Sequence, residues 1–136
     1  MTRLLRNIDG VTALEFALVA PVFMMFMFLV IDGARVTWTY QTLQEVAANS
    51  ARCAALSVPG CKTADEVKTH AVARAAASGV KLSAASVTMT TAQNCLSMPG
   101  MTKVAIASSY QGATTKLLPS SVSTLATESC FPTAGA

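Results

Sequence analysis

A continuous apolar run from residue 11 to residue 31 limits what this chain can fold into more than any other feature. Within its 21 residues only Thr12, Glu15 and Pro21 are not apolar. The run holds four of the five Phe residues of the chain and three of its seven Met residues. A helix that rises 1.5 Å per residue would cover about 30 Å with this run, which is the thickness of a bilayer core. The run therefore predicts a membrane-spanning helix.

The residues on either side of the run predict its orientation. Arg3 and Arg6 precede it, and Arg35 is the nearest cation on its far side. Because cytoplasmic flanks are enriched in Lys and Arg, this bias predicts a cytoplasmic N-terminus and a periplasmic C-terminal part. Trp38 and Tyr40 follow the far end, where amphipathic aromatic rings favour the membrane interface.

These features predict three parts: a basic leader at residues 1–10, a transmembrane helix at residues 11–33 and a head domain at residues 34–136. Two other interpretations stay open. The run could belong to a signal peptide that is removed, but Asp32, Gly33 and Ala34 match a cleavage site poorly, and a usual signal core has only 7–15 apolar residues. It could also be a signal anchor that is never processed.

Composition argues against several classes of function. Charged residues make up 12 % of the chain and the net charge is +3, with Lys and Arg scattered, so no basic stripe predicts nucleic-acid binding. The single His70 cannot make a metal site alone, and no Ser, Cys or acidic residue has a partnered base. The sequence predicts neither an enzyme nor a cofactor; a periplasmic enzyme would need a site that the sequence does not contain.

Glu15 is the residue of the apolar run that most needs an explanation. An acidic residue at mid-bilayer costs about 2.5–3.5 kcal/mol on insertion scales, and less toward the ends of a helix. Such a residue predicts a function and a partner of opposite charge. The alternative is that Glu15 reaches the nearby headgroups or is protonated.

The residues around Glu15 resemble a known family. In Asp9-Gly-Val-Thr-Ala-Leu-Glu-Phe16, a Gly ends the basic leader and Glu15 is the fifth residue after it. This pattern is similar to the processing signature of type IV pilins. Residues 10–21, with the Glu15-Phe16 pair and Pro21, resemble more closely the TadE-like pseudopilins of the tight-adherence (Tad/Flp) pilus system. Residues 45–52 and 124–132 are similar to the Ala-rich helix and the closing strand of such proteins.

The resemblance implies a cut by a prepilin peptidase between Gly10 and Val11. Type IV pilins of the best-known class begin with Phe after the cut, whereas this chain would begin with Val11, so N-methylation is left open. The new amino group of Val11 would pair with Glu15 of a neighbouring subunit and set the axial register, with Phe16 and Pro21 in the same contact. This pairing would compensate a carboxylate that is otherwise buried in apolar surroundings.

The same resemblance implies a place and a set of partners. The chain would be a minor pilin of the bacterial inner membrane that takes part in assembling a Tad pilus for surface adhesion, where it could join the filament. Its partners would be the major Flp pilin, other minor pilins, the inner-membrane assembly platform and membrane lipid. The alternative function is an unprocessed single-pass anchor that binds a partner through its head.

Helical spacing of apolar residues predicts that the first helix continues beyond the membrane to Pro59-Gly60. The residues with this spacing are Val36, Tyr40, Leu43, Val46, Ala47, Ala51, Ala54 and Ala55. Gly33 predicts a weak break and Pro21 a kink or melted turn, because proline removes a backbone hydrogen bond.

A second helix is predicted from Ala64 to about Ser78, with a capping box at Thr63 and Glu66 and a stop at Gly79.

Alternating residues predict three strands in the C-terminal half, at residues 86–91, 102–110 and 121–127. The connections between them are predicted at residues 98–100 and 116–119. Together these elements predict an α+β, pilin-like fold, in which a three-stranded antiparallel sheet packs against the two helices.

Four cysteines on the predicted periplasmic side suggest two disulfides. Of the three possible connectivities, we favour Cys53–Cys61, which flank a Pro-Gly turn, and Cys95–Cys130, which follow strands whose ends point the same way. Four free thiols are the alternative. A zinc site is disfavoured because no Cys-x-x-Cys occurs. His70 is predicted to be a solvated surface residue.

Overall fold

The computed structural model describes residues 8–95, 97–110, 112 and 123–133, with the side chains of the first helix from residue 12 onward. Two helices precede a short 3-10 helix at Ala84–Ser86 and three strands. The elements are α1 (Ile8–Ala55), α2 (Ala64–Ala77), β1 (Val87–Cys95), β2 (Met98–Ser109) and β3 (Thr124–Pro132). The predicted α+β fold is confirmed.

α1 is one uninterrupted helix of 48 residues, about 72 Å long at 1.5 Å per residue. It continues through both Pro21 and Gly33, so the predicted break at Gly33 and the melted turn at Pro21 are wrong. Pro21 removes only the hydrogen bond to the carbonyl of Ala17, and the bonds on either side remain. Gly33 costs about 1 kcal/mol relative to Ala, which the long apolar and Ala-rich flanks tolerate.

The two halves of α1 have different surroundings. Every described side chain before Asp32 is exposed or nearly so, whereas beyond it one face of the helix packs on the head. α1 contacts β2 and β3 on one side and α2 on another. All the predicted core positions from Leu43 to Ala55 are buried. The apolar spacing therefore predicted which face of α1 meets the head.

The C-terminal end of α1 has a backbone conformation that favours glycine. The amide of Val58 donates to the carbonyl of Cys53 (3.2 Å) and the amide of Ser57 to that of Ala54 (3.1 Å), which is a Schellman motif. Ser57 occupies its left-handed position with φ of 48°. α2 ends in the same motif, where Gly79 has φ of 75°.

The two motifs predict opposite effects of two substitutions. Ser57→Gly should raise the free energy of unfolding by about 0.5–1 kcal/mol, because it relieves a conformation that side chains disfavour. Gly79→Ala should lower it by about 1 kcal/mol for backbone reasons alone, since an added Cβ at Gly79 would meet nothing within 4 Å. Urea denaturation of the three chains measures both values. Changes of the same sign and size in both variants would contradict the assignment of Ser57 and Gly79 to the left-handed positions of the two Schellman motifs.

The start of α2 is the predicted capping box. The Thr63 hydroxyl accepts a hydrogen bond from the Glu66 amide (3.3 Å), and the Glu66 carboxylate accepts from the amides of Thr63 (3.4 Å) and Lys62 (2.7 Å). Together these bonds occupy amides that the first turn of a helix leaves without partners. They fix where α2 begins, and the side chains of Val67, Ala71 and Ala75 then lie in the core.

The sheet is antiparallel with the strand order β1-β2-β3. β2 and β3 pair in unbroken register from Met101 opposite Pro132 to Ser109 opposite Thr124. β1 and β2 pair regularly only from Val87 to Thr90, after which the register shifts. Val104 and Ile106 of β2 are fully buried, so this face of the sheet forms the core with α1.

The strand boundaries differ from the prediction at the hairpin. Residues 98–100, predicted to be a connection, are the first residues of β2, and β1 extends to Cys95. Ala92, with φ of 56°, lies at the register shift and lets β1 continue past it to reach β2 again. β3 begins at Thr124 and reaches Pro132, farther along the chain than predicted. The predicted connection at residues 116–119 lies outside the described residues, as do residues 121 and 122.

Candidate functional site

The most unusual surface of this protein is the exposed apolar stretch of α1, which we define as residues 12–31. An 18-residue window of it has a mean hydropathy of 2.4, and none of that window is buried. Its helix is long and apolar enough to cross a membrane, which fits a single-pass anchor. Monomers in water rarely expose contiguous apolar patches beyond a few hundred Å². The stretch therefore requires lipid or other helices to cover it.

Glu15 is an exposed carboxylate near the beginning of this stretch. It has no ion-pair partner among the described residues, and the nearest described cation on its helix is Arg35. The two residues are 20 positions apart, which separates them by about 30 Å along the axis. Phe16 beside Glu15 is 74 % exposed, and Pro21 is exposed as well. These three predicted contact residues are thus available to a neighbouring molecule.

The predicted processing site lies at the N-terminal end of α1. The structure describes α1 from Ile8 onward, so Gly10 and Val11 lie in the first described turn of this helix. The first four amides of a helix have no partner within it, and end turns fray readily. Glu15 follows one to two turns later, about 6 Å from Val11 along the axis.

A second carboxylate, Asp32, marks the far end of the exposed apolar stretch. This residue is only 6 % exposed. Asp32 and Glu15 are 17 positions apart, so the two acidic groups enclose about 26 Å of apolar helix. The sequence did not predict the burial of Asp32, because that burial depends on how the head packs. Trp38, 61 % exposed, lies beyond it where a membrane interface would be.

Two disulfides fasten the head. Cys53 in the last turn of α1 is bonded to Cys61, with 5.7 Å between their Cα atoms. Cys95 at the end of β1 is bonded to Cys130 of β3, with 6.3 Å between their Cα atoms. This is the pairing that the sequence favoured. The first disulfide closes the turn between the two helices, and the second connects the two outer strands of the sheet.

His70 is not the solvated surface residue that we predicted. It lies on α2 and is only partly exposed, and its Nδ1 is buried with no hydrogen-bond partner among the described residues. Its ring nitrogen and the sulfur atoms of Cys53 and Cys61 lie within 4.8 Å of one another. The prediction failed because His70 is remote in sequence from Cys53, and only the packing of α2 on α1 brings them together.

The helix that bears these features matches a known family. Residues 10–52, from the predicted processing site to the last turn of α1, match the family described as TadE-like protein. No curated protein matches the chain, and neither does any solved structure. The match covers the exposed apolar stretch and ends before the first disulfide. The match over residues 10–52 confirms the resemblance to TadE-like proteins that the sequence showed there.

Proposed function

We propose that this protein is a minor pilin that takes part in assembling a Tad pilus for surface adhesion. The observation that carries the proposal is the exposed Glu15 near the beginning of an exposed apolar stretch, which has no ion-pair partner among the residues that the structure describes. A carboxylate placed in hydrocarbon without a partner is costly. The TadE-like match of the same helix supports a pilus as the setting in which that partner is found.

The partner that we propose is the amino group of Val11 in a neighbouring subunit. A prepilin peptidase would hydrolyse the Gly10–Val11 bond and leave Val11 with a cationic amino group. Within its own helix this amine lies about 6 Å along the axis from Glu15, and the amides of the first turn compete for the same carboxylate. Between subunits the pair allows only one axial offset, so it fixes the register of packing.

The proposal also assigns a topology. Residues 1–10 are the cytoplasmic leader, residues 11–33 span the inner membrane, and residues 34–136 form the periplasmic head. In this arrangement Trp38 lies at the outer interface, where aromatic rings are enriched. Lipid covers the exposed apolar stretch first; the major Flp pilin, other minor pilins and the assembly platform replace it during assembly.

Removal of the leader is the direct test of this proposal. Co-expression with a prepilin peptidase of a Tad system should shorten the chain by ten residues, about 1 kDa of its 14.1 kDa. Intact-mass measurement and N-terminal sequencing should then find Val11 as the first residue.

Two glycine variants make the test specific. Gly10→Val should block the shortening, because a branched side chain at the cut hinders the peptidase. Gly33→Val is the matched control on the same helix, since an added Cβ at Gly33 meets nothing within 4 Å, and it should be cut normally. A wild-type chain that keeps its initiator methionine beside an active peptidase would refute the proposal and favour the unprocessed anchor.

A further inference from the structure

The corner between α1 and α2 gathers three side chains that can bind a metal ion. Cys53 comes from the last turn of α1, Cys61 from the residues just before the capping box, and His70 from the second turn of α2. Their potential ligand atoms all lie within 4.8 Å of one another. The Schellman motif at the end of α1 and the capping box at the start of α2 fix the backbone on both sides of the connecting turn. These hydrogen bonds therefore hold the corner in one geometry.

His70 provides a second observation that points to a ligand. Its Nδ1 is buried, and no residue in the described part of the chain forms a hydrogen bond with it. Buried polar atoms in folded proteins nearly always have a partner, and an exception needs an explanation such as a redox role or an ion. The disulfide sulfurs that lie beside this ring are uncharged and are weak acceptors, so they do not supply that partner.

We propose that the reduced form of this protein binds one Zn²⁺ through Cys53, Cys61 and His70. Two thiolates and one imidazole are ligands that zinc prefers, and three protein ligands leave the fourth position to water. The redox step is an exchange with a dithiol: the dithiol loses two electrons and two protons and becomes a disulfide, while the Cys53–Cys61 bond breaks and each sulfur gains a proton. Zn²⁺ then displaces those two protons.

The surroundings of the corner allow a metal ion to reach it only in the reduced state. A cleft of about 190 Å³ opens beside Cys53 and His70 and provides access from solvent. Arg52 and Arg74 line the same cleft, so its positive charge repels a divalent cation. The two thiolates of the reduced form carry negative charge that offsets the arginines, whereas the disulfide is uncharged. The same corner is therefore closed by a covalent bond when oxidised and by zinc when reduced.

Metal titration of the full chain in detergent micelles tests this inference. The chain is reduced with a phosphine, which competes weakly for zinc, and titrated with Co²⁺ under argon. Thiolate-to-cobalt charge-transfer absorption should appear and saturate at one ion per chain, and one equivalent of Zn²⁺ should abolish it. The oxidised chain should give no such absorption.

Matched variants assign the ligands. Cys53→Ser/Cys61→Ser should weaken Co²⁺ binding by more than about 100-fold, since even changes around a metal's ligands cost 10–100-fold. Cys95→Ser/Cys130→Ser removes the other pair and should bind as the wild type does. His70→Ala should weaken binding and change the absorption spectrum, and His70→Gln repeats the test with a larger side chain. Circular dichroism checks that each reduced variant keeps its helices.

Three results would overturn the inference. The first is an absence of Co²⁺ binding by the reduced wild type. The second is an affinity of both His70 variants for Co²⁺ that equals the wild-type affinity. The third is Co²⁺ binding that survives loss of Cys53 and Cys61 but not loss of Cys95 and Cys130. The last result would assign the metal ion to Cys95 and Cys130 of the sheet. None of them bears on leader removal, so failure of the zinc site leaves the proposed pilin function intact.

Discussion

Glu15→Gln is expected to reduce association of the mature subunit with its pilin neighbours by more than about 100-fold. The amide keeps the size of the side chain but removes the charge that, in the proposed pairing, compensates the Val11 amino group of a neighbouring subunit. Removing one partner from a buried ion pair costs about 3–5 kcal/mol, because the other charge is left alone in apolar surroundings. No described residue of the same chain is placed to replace Glu15.

Cross-linking of the subunit to co-expressed Flp pilin in membranes measures this effect. Glu45→Gln is the matched control, because Glu45 is an exposed carboxylate of the same helix that lies beyond the apolar stretch. It should cross-link as the wild type does. The mass of the Glu15→Gln chain in the same sample separates a failure of assembly from a failure of leader removal.

The sign of the effect distinguishes a pilin from a static anchor. If lipid alone surrounds the helix, replacing Glu15 with a neutral amide lowers the cost of burial, and membrane residence is unchanged or improved. If a neighbouring amine depends on Glu15, the same substitution weakens assembly. Cross-linking of Glu15→Gln that equals the wild-type value would therefore favour the unprocessed anchor, whose partner is bound by the head.

The features that the sequence predicted correctly are those determined by nearby residues. The exposed apolar stretch needs only 20 consecutive residues to define it, and the capping box needs only Thr63 and Glu66. The buried face of α1 follows from helical spacing over a few turns. The cysteine pairing follows from one short loop and from strand ends that lie on the same side of the sheet.

The features that the sequence missed depend on contacts between distant residues. β2 begins at Met98 rather than Thr102 because Cys95, past the register shift in β1, pairs opposite Met98. Asp32 and His70 are polar residues, and nothing in the sequence next to either of them predicts that it is buried. His70 lies where α2 packs on α1, and Asp32 is buried at the position from which one face of α1 begins to pack on the head, so only the folded chain reveals their surroundings.

Removing the Cys95–Cys130 disulfide is expected to destabilise the head more than removing Cys53–Cys61. The two bonds close loops with sequence separations of 35 and 8 residues. In the chain-entropy account these separations correspond to about 4 and about 2.5 kcal/mol, because a longer loop restricts the unfolded chain more. If the free energy of unfolding falls by about 2 kcal/mol for each 1 M urea, Cys95→Ser/Cys130→Ser should lower the urea midpoint by about 2 M.

Urea titration of the full chain in micelles, with proteolysis of the head as the readout, compares the two paired variants. The Cys95–Cys130 bond joins the two outer strands, which otherwise depend on β2 alone to hold them in one sheet. The Cys53–Cys61 corner keeps the hydrogen bonds of both helix ends even when its sulfurs are separated. A larger loss at that corner would contradict the loop-length argument: it would mean that the disulfide stabilises α2 against α1 in the folded head, and not chiefly by restricting the unfolded chain.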